Sequence, residues 1–180
     1  MRTKITSVLF IALLISGSVF STVPVGKKAD LITLSGDAGG RVDGTDWSSS
    51  ELVGKVWMLV YADPDESDAN DAATEAVKAK DYATDVYSSV AVINYAATWK
   101  PNFAISAILK GKQKDYPNTV YVKDMDKMVV EKWGLADDSN NIIIFAPDGT
   151  VVYSYDGQLP ADEITKMIGI IDAEIAKLKE

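Results

Sequence analysis

Two kinds of apolar spacing alternate along this chain of 180 residues. Val56-Trp57-Met58-Leu59-Val60-Tyr61 is apolar without interruption, the pattern of a strand buried on both faces of a sheet. Val86 to Asn94, with Val90, Val92 and Ile93 at its heart, and Asn141 to Phe145 repeat that pattern. Thr119 to Val122 is shorter and is expected near an edge. Between these runs the spacing becomes helical. Ala69, Ala72, Ala73, Ala76 and Val77 predict a helix ending near Lys80. Pro101 opens a second helix to about Gln113, with Phe103, Ala104, Ala107 and Ile108 expected on its inward face. Met125 to Trp133 forms a brief amphipathic helix closed by Gly134. Ile164, Met167, Ile168, Ile171, Ile175 and Leu178 mark a terminal helix packed on the sheet.

The connections decide how these elements are joined. Pro147-Asp148-Gly149-Thr150 makes a tight reversal into Val151 to Tyr155, so the last two strands are antiparallel neighbours. Gly36, Gly39, Gly40 and Gly44 crowd the start of the chain, and Leu31 to Thr45 reads as a hairpin. Trp47 precedes a serine-capped helical turn that folds Leu52 onto the core. Helical crossovers make the first core strands parallel, and the closing reversal makes the sheet mixed. The expectation is an α/β domain with a mixed central sheet flanked by helices and an N-terminal hairpin extension. No repeat or linker divides it, so residues 22–180 read as one domain.

The first residues lie outside that pattern. Arg2 and Lys4 precede an apolar run from Val8, broken by small residues and ending at Phe20. These are the parts of a secretory signal peptide over residues 1–21, with cleavage near Ser21. The run falls short of the roughly 20 apolar residues that span a bilayer, and no second long run follows. The expected location is therefore the periplasm, with no transmembrane span after cleavage. Cleavage removes two cations and takes the net charge from -8 to -10. So acidic a chain is a poor partner for nucleic acid.

Composition then removes chemistry. There is no cysteine and no histidine. Thiol nucleophiles, disulfides and thiolate metal sites are excluded, as is the imidazole base of the usual hydrolytic triads.

Trp47, the run Leu52-Val53-Gly54-Lys55-Val56, Tyr116-Pro117, Trp133-Gly134-Leu135, Asp148-Gly149 and Gly157-Gln158-Leu159 occur in order. On these landmarks the chain resembles the periplasmic YtfJ family of thioredoxin-like proteins. The resemblance covers essentially the whole mature chain. It implies a thioredoxin-like fold and a periplasmic address, and brings no established catalytic residues. Active thioredoxin-like reductases place two cysteines at the opening of the first helix. Counted from Gly54-Lys55-Val56, those positions fall at about Glu66 and Ala69. Their cis-proline position, counted from Asp148-Gly149, falls at about Asn140, after Ser139. Neither hallmark is present, so no disulfide chemistry is expected.

Ligands of open α/β sheets sit beyond the carboxyl ends of the strands. That places the candidate binding surface on loops 62–68, 94–101 and 137–141, with Asp63, Asp65, Glu66, Asp68, Asn94, Tyr95, Trp99 and Asn140 as candidate residues. The leading expectation is a binding or structural role with an unidentified periplasmic protein partner, and no cofactor. Asp63, Asp65 and Asp68 also suit Ca²⁺ or another divalent cation, in binding or in a non-redox reaction. Helix capping and a solvated acidic rim account for the same residues.

Overall fold

The computed structural model describes residues 23–179; the signal-peptide expectation falls outside the described residues. Among the described residues, eight strands and four α-helices follow the expected order. A six-stranded mixed sheet runs β2-β6-β5-β4-β7-β8, and a two-stranded ribbon pairs β1 with β3. Here β1 is Thr33–Leu34, β2 Gly39–Arg41, β3 Trp47–Ser48, β4 Val56–Ala62, β5 Tyr87–Asn94, β6 Thr119–Asp124, β7 Asn140–Phe145 and β8 Val151–Asp156. The helices are α1 Asp71–Lys78, α2 Asn102–Asp115, α3 Met128–Trp133 and α4 Ala161–Lys177. β4, β5 and β6 are parallel, while β7 runs antiparallel to both β4 and β8. This is the thioredoxin-like architecture, with added N-terminal strands.

The N-terminal expectation needs one correction. Residues 31–45 do not form a self-contained hairpin. The ribbon pairs Leu34 with Trp47, and the segment between them leaves as β2 to pair with β6. Gly39 shows why glycine stands there. Its φ is +134°, and a Cβ would lie 2.0 Å from the Lys123 carbonyl oxygen. The glycine-rich stretch serves close approach to β6 as well as turning. β6 is accordingly the second strand of the sheet, with β2 outside it.

Alternate residues of the central strands feed two cores. One face sends Leu59, Tyr61, Val90, Val92, Val122, Ile143 and Phe145 under the N-terminal segment and α3, where Ile32, Leu34, Trp47, Leu52, Val129 and Trp133 are buried. A capping box on the 3-10 turn Ser49–Glu51, made by Ser48 and Glu51, holds the chain where Leu52 turns inward. The other face sends Val56, Met58, Ile142 and Ile144 against α1 and α4, through Ala73, Val77, Met167, Ile171 and Ile175.

α2 covers the remaining part of that second face, and here the expected stripe is wrong. Ile105 and Leu109 point inward, onto Ile93 and Tyr121. Phe103 is 78% exposed and Ile108 57%. Six apolar residues between 103 and 109 offer more than one helical stripe, and the spacing alone selects none.

Candidate functional site

The three loops expected to form the binding rim do meet at one edge of the sheet, and hydrogen bonds tie them together. Asp63 closes β4 and donates its amide to the Ser139 carbonyl at 2.9 Å. Its Oδ1 accepts from the Asp65 amide at 2.7 Å. The Asp65 carboxylate in turn pairs with Lys100 Nζ at 2.6 Å and accepts from Thr98 Oγ1 at 2.7 Å. Across the rim, Asn94 Nδ2 donates to Asp137 Oδ1 at 3.0 Å, and Lys127 pairs with the same carboxylate. Loop 63–68 is thus bound to loop 94–101, and the latter to loop 137–141.

Neighbouring carboxylates there are driven in opposite directions. Burial pushes Asp63 above the ordinary carboxylate range, and the charges of Asp65, Asp138 and Glu66 add to it. The Lys100 and Thr98 bonds hold Asp65 below that range. For Asp137 burial acts upward, but Lys127, the Asp138 amide and Asn94 outweigh it and the net direction is down.

Behind this rim lie the two positions counted from Gly54-Lys55-Val56. Glu66 and Ala69 stand in the turn before α1, Glu66 with an exposed side chain. Two buried asparagines close the space beneath them. Asn70 donates to Asn140 Oδ1 and to the Gly157 carbonyl, both at 3.0 Å, and accepts from the Leu159 amide at 2.8 Å. Asn140 Nδ2 donates to the Glu66 carbonyl at 3.1 Å, and its own carbonyl accepts from the Gly157 amide. These bonds lash the start of α1 to β7 and to the loop before α4. Among the described residues no peptide bond is cis. Asn140 is 2% exposed, so its amide faces the protein rather than a ligand.

The other candidates separate into buried and open. Asn94 is 1% exposed, its Oδ1 accepting from the Ala96 amide. Tyr95 is also buried, its hydroxyl bonded to Ser106 at 3.0 Å. Asp68 is exposed and accepts from its neighbour Ser67. Trp99 is 88% exposed. Among the described residues no three acidic side chains converge as ligands of one metal ion. The reason is visible locally: Asp63 is turned to its own loop and Asp65 to Lys100.

A larger feature escapes the sequence altogether. Between α1 and α2, over β4, β5 and β6, a groove of about 520 Å³ opens to solvent. Its floor carries Met58, Val60, Ala91, Ile93 and Tyr121. The chain's spacing marks these residues as strand core, and nothing in it reveals that the two covering helices stand apart.

Comparison with known proteins fixes the family. The family described as "Bacterial protein of unknown function (YtfJ_HI0045)" matches residues 16–174. The chain belongs to this family. A YtfJ-family relative, the uncharacterized protein YtfJ of Escherichia coli K12, is 24% identical over 128 residues, covering 69% of this chain and 70% of that protein. An uncharacterized protein of Haemophilus influenzae is 26% identical over 130 residues, covering 70% of each. Among solved structures, a putative thiol:disulfide interchange protein DsbE from Chlorobium tepidum superposes with a TM-score of 0.62 at 18% identity, over 85% of this chain and 99% of that one. A putative thioredoxin from Neisseria meningitidis gives 0.57 at 19%, over 81% and 90%. These likenesses establish the fold. Without cysteine, this YtfJ-family chain has no thiol with which to perform thiol–disulfide exchange.

Proposed function

We propose that this YtfJ-family chain is an exported periplasmic protein that binds a protein partner through the rim of loops 62–68, 94–101 and 137–141. The observation carrying this reading is Trp99, 88% exposed on a rim whose other aromatic residue, Tyr95, is buried. Phe103, 78% exposed at the opening of α2, is a second open aromatic residue four positions on. Large exposed aromatics beside a charged pair such as Lys100–Asp65 have the composition of a contact hot spot. The hydrogen bonds joining the three loops fix that surface in advance, which lowers the ordering cost of association.

Site-specific photocrosslinking in living cells tests the reading. A crosslinker at position 99 or 103 is expected to capture one discrete partner band, and one at exposed Lys166 is not. Trp99→Ala combined with Phe103→Ala is expected to abolish capture from a third rim position, Asp68. Identical band patterns from the rim and from position 166 would end it.

A further inference from the structure

We infer that the partner bound by the rim is a protein that lays an acidic amphipathic helix along the outer face of α2, with apolar side chains on Phe103 and carboxylates on Lys110 and Lys114. The inference rests on the rim reading above and names the chemistry of its partner. α2 is divided by what its sides meet. Ile105 and Leu109 go down onto the sheet. Ile108, Lys112 and Asp115 line the groove shared with α1, together with Glu75 and Asp81. Gln113 lines a smaller recess on the other flank, with Arg41 and Asp43. Phe103, Ala107, Lys110, Gly111 and Lys114 are exposed and line neither. With about 3.6 residues per turn they form one stripe of roughly 16 Å.

The charge of this stripe selects its partner. It carries two cations and no acid, in a chain of net charge -8. Glu75, Asp81 and Asp115 belong to the groove side, and Asp43 accepts from the amide and hydroxyl of Thr45. Lys110 and Lys114 make no ion pair among the described residues. Complementary charge across an interface fixes orientation and speeds encounter. Carboxylates one turn apart on a partner helix match these two ammonium groups. Toward the rim the stripe turns apolar, through Ala107 and Phe103 to Trp99.

The geometry favours a helix as the occupant. The backbone of α2 is bonded within its own helix, so an extended strand would find no partners on it. Gly111, between the two lysines, is helical, and a Cβ there would meet nothing within 4 Å. Glycine at this position answers no need of the chain's own packing, and it lets a second helix come close. An anionic bilayer is the other surface that cations and exposed aromatics attract. Glu66 and Asp68 are exposed on the loop that Asp65 ties to the loop of Trp99, and they would oppose such a bilayer. A protein partner can place neutral or basic groups there.

Photocrosslinking in living cells tests the inference, with the crosslinker at position 107 on α2 and at position 99 on the rim. Both positions are expected to capture the same partner, and the partner peptide joined to position 107 is expected to carry acidic residues at helical spacing. Lys110→Glu combined with Lys114→Glu should cut capture from position 99 by about fivefold or more, at equal protein level. Lys110→Arg with Lys114→Arg should retain it, and so should the same charge reversal at exposed Lys28 and Lys132. Gly111→Leu should raise the melting temperature of the free protein and still weaken capture, a pair of effects that misfolding does not produce. Gly169→Leu, at the equally open glycine of α4, should raise it without altering capture. Three results would overturn the inference while leaving the rim reading standing: capture from position 99 unchanged by the α2 variants, no capture from position 107, or a captured peptide without acidic residues. A band pattern at position 99 no different from that at Lys166 ends both. Binding of the purified protein to phosphatidylglycerol vesicles, lost in the doubly reversed variant, overturns the inference in favour of a lipid surface.

Discussion

The two faces of the central sheet are built from the same strands and finished differently. Under the N-terminal segment and α3 the face is sealed: Leu59, Val90, Val92, Val122 and Ile143 have no exposed surface. Even its buried charge is provided for. Asp124, fully buried, accepts from the Tyr61 hydroxyl at 3.1 Å, the Met128 amide at 3.0 Å and the Val129 amide at 2.9 Å. Burial, with the Asp124 charge beside it, drives the Tyr61 hydroxyl strongly upward, so it remains a protonated donor. On the opposite face α4 and α1 pack closely, but α2 is set apart from α1 and leaves Val60 and Ala91 half covered. Burial is thus set less by a strand's own sequence than by what the chain later lays over it.

The sharpest way to break this contrast is at Asp124. Replacing it with alanine leaves the Asp126, Met128 and Val129 amides and a hydroxyl without their acceptor, and should cost about 3–5 kcal/mol in urea unfolding. A loss below about 1 kcal/mol would mean that α3 does not depend on that carboxylate.

A pair of adjacent residues sharpens the comparison next. Leu59→Ala, on the sealed face, is expected to cost about 2–5 kcal/mol. Val60→Ala, one residue on and facing the groove, should cost less than about 1 kcal/mol. Equal losses would show that the two faces are equally packed in solution.

The smallest effects lie on the rim, between Asp63 and Asp65. Carbon-detected NMR titration should place Asp63 above, and Asp65 below, the ordinary aspartate value of 3.8. The signs for stability follow. Asp65 favours the fold above its unfolded value, and that contribution is lost as pH falls through its lowered folded pKa. Asp63 acts in reverse, since its ionisation costs stability as pH rises from the unfolded value through the raised folded one. Asp63→Asn keeps the acceptor for the Asp65 amide and should stabilise by less than about 1 kcal/mol at neutral pH, with no gain in strong acid. Coincident midpoints for the two aspartates would remove the basis for this.

Local patterns made much of the fold legible. The run from Val56 to Tyr61 became β4, and the stripe from Ile164 to Ile175 falls within α4. Gly134 ends α3 in the left-handed conformation, where only glycine is free of strain. Long-range choices were not legible. The glycines at 39 and 40 look like turn residues, whereas Gly39 lets β2 lie against β6 and Gly40 lets it lie against Thr45 and Leu34. α2 carried two possible stripes, and the strand beneath it selected Ile105 and Leu109. The loops of the candidate rim could be named because the sheet order brings them to one edge. That Asn70 reaches Asn140, Gly157 and Leu159 could not, because those partners lie 70 to 89 residues away.

The N-terminal segment touches both borders of the sheet. Gly26 and Lys27 bond to Val151 at the start of β8, and Gly39 to Arg41 pair with β6 at the far side. Residues 26–41 therefore cannot complete their pairings until residues 119–124 and 151 exist. These are long-range contacts, of the kind that close late in folding. A nascent chain is obliged to keep the sealed face open until residue 151 has emerged.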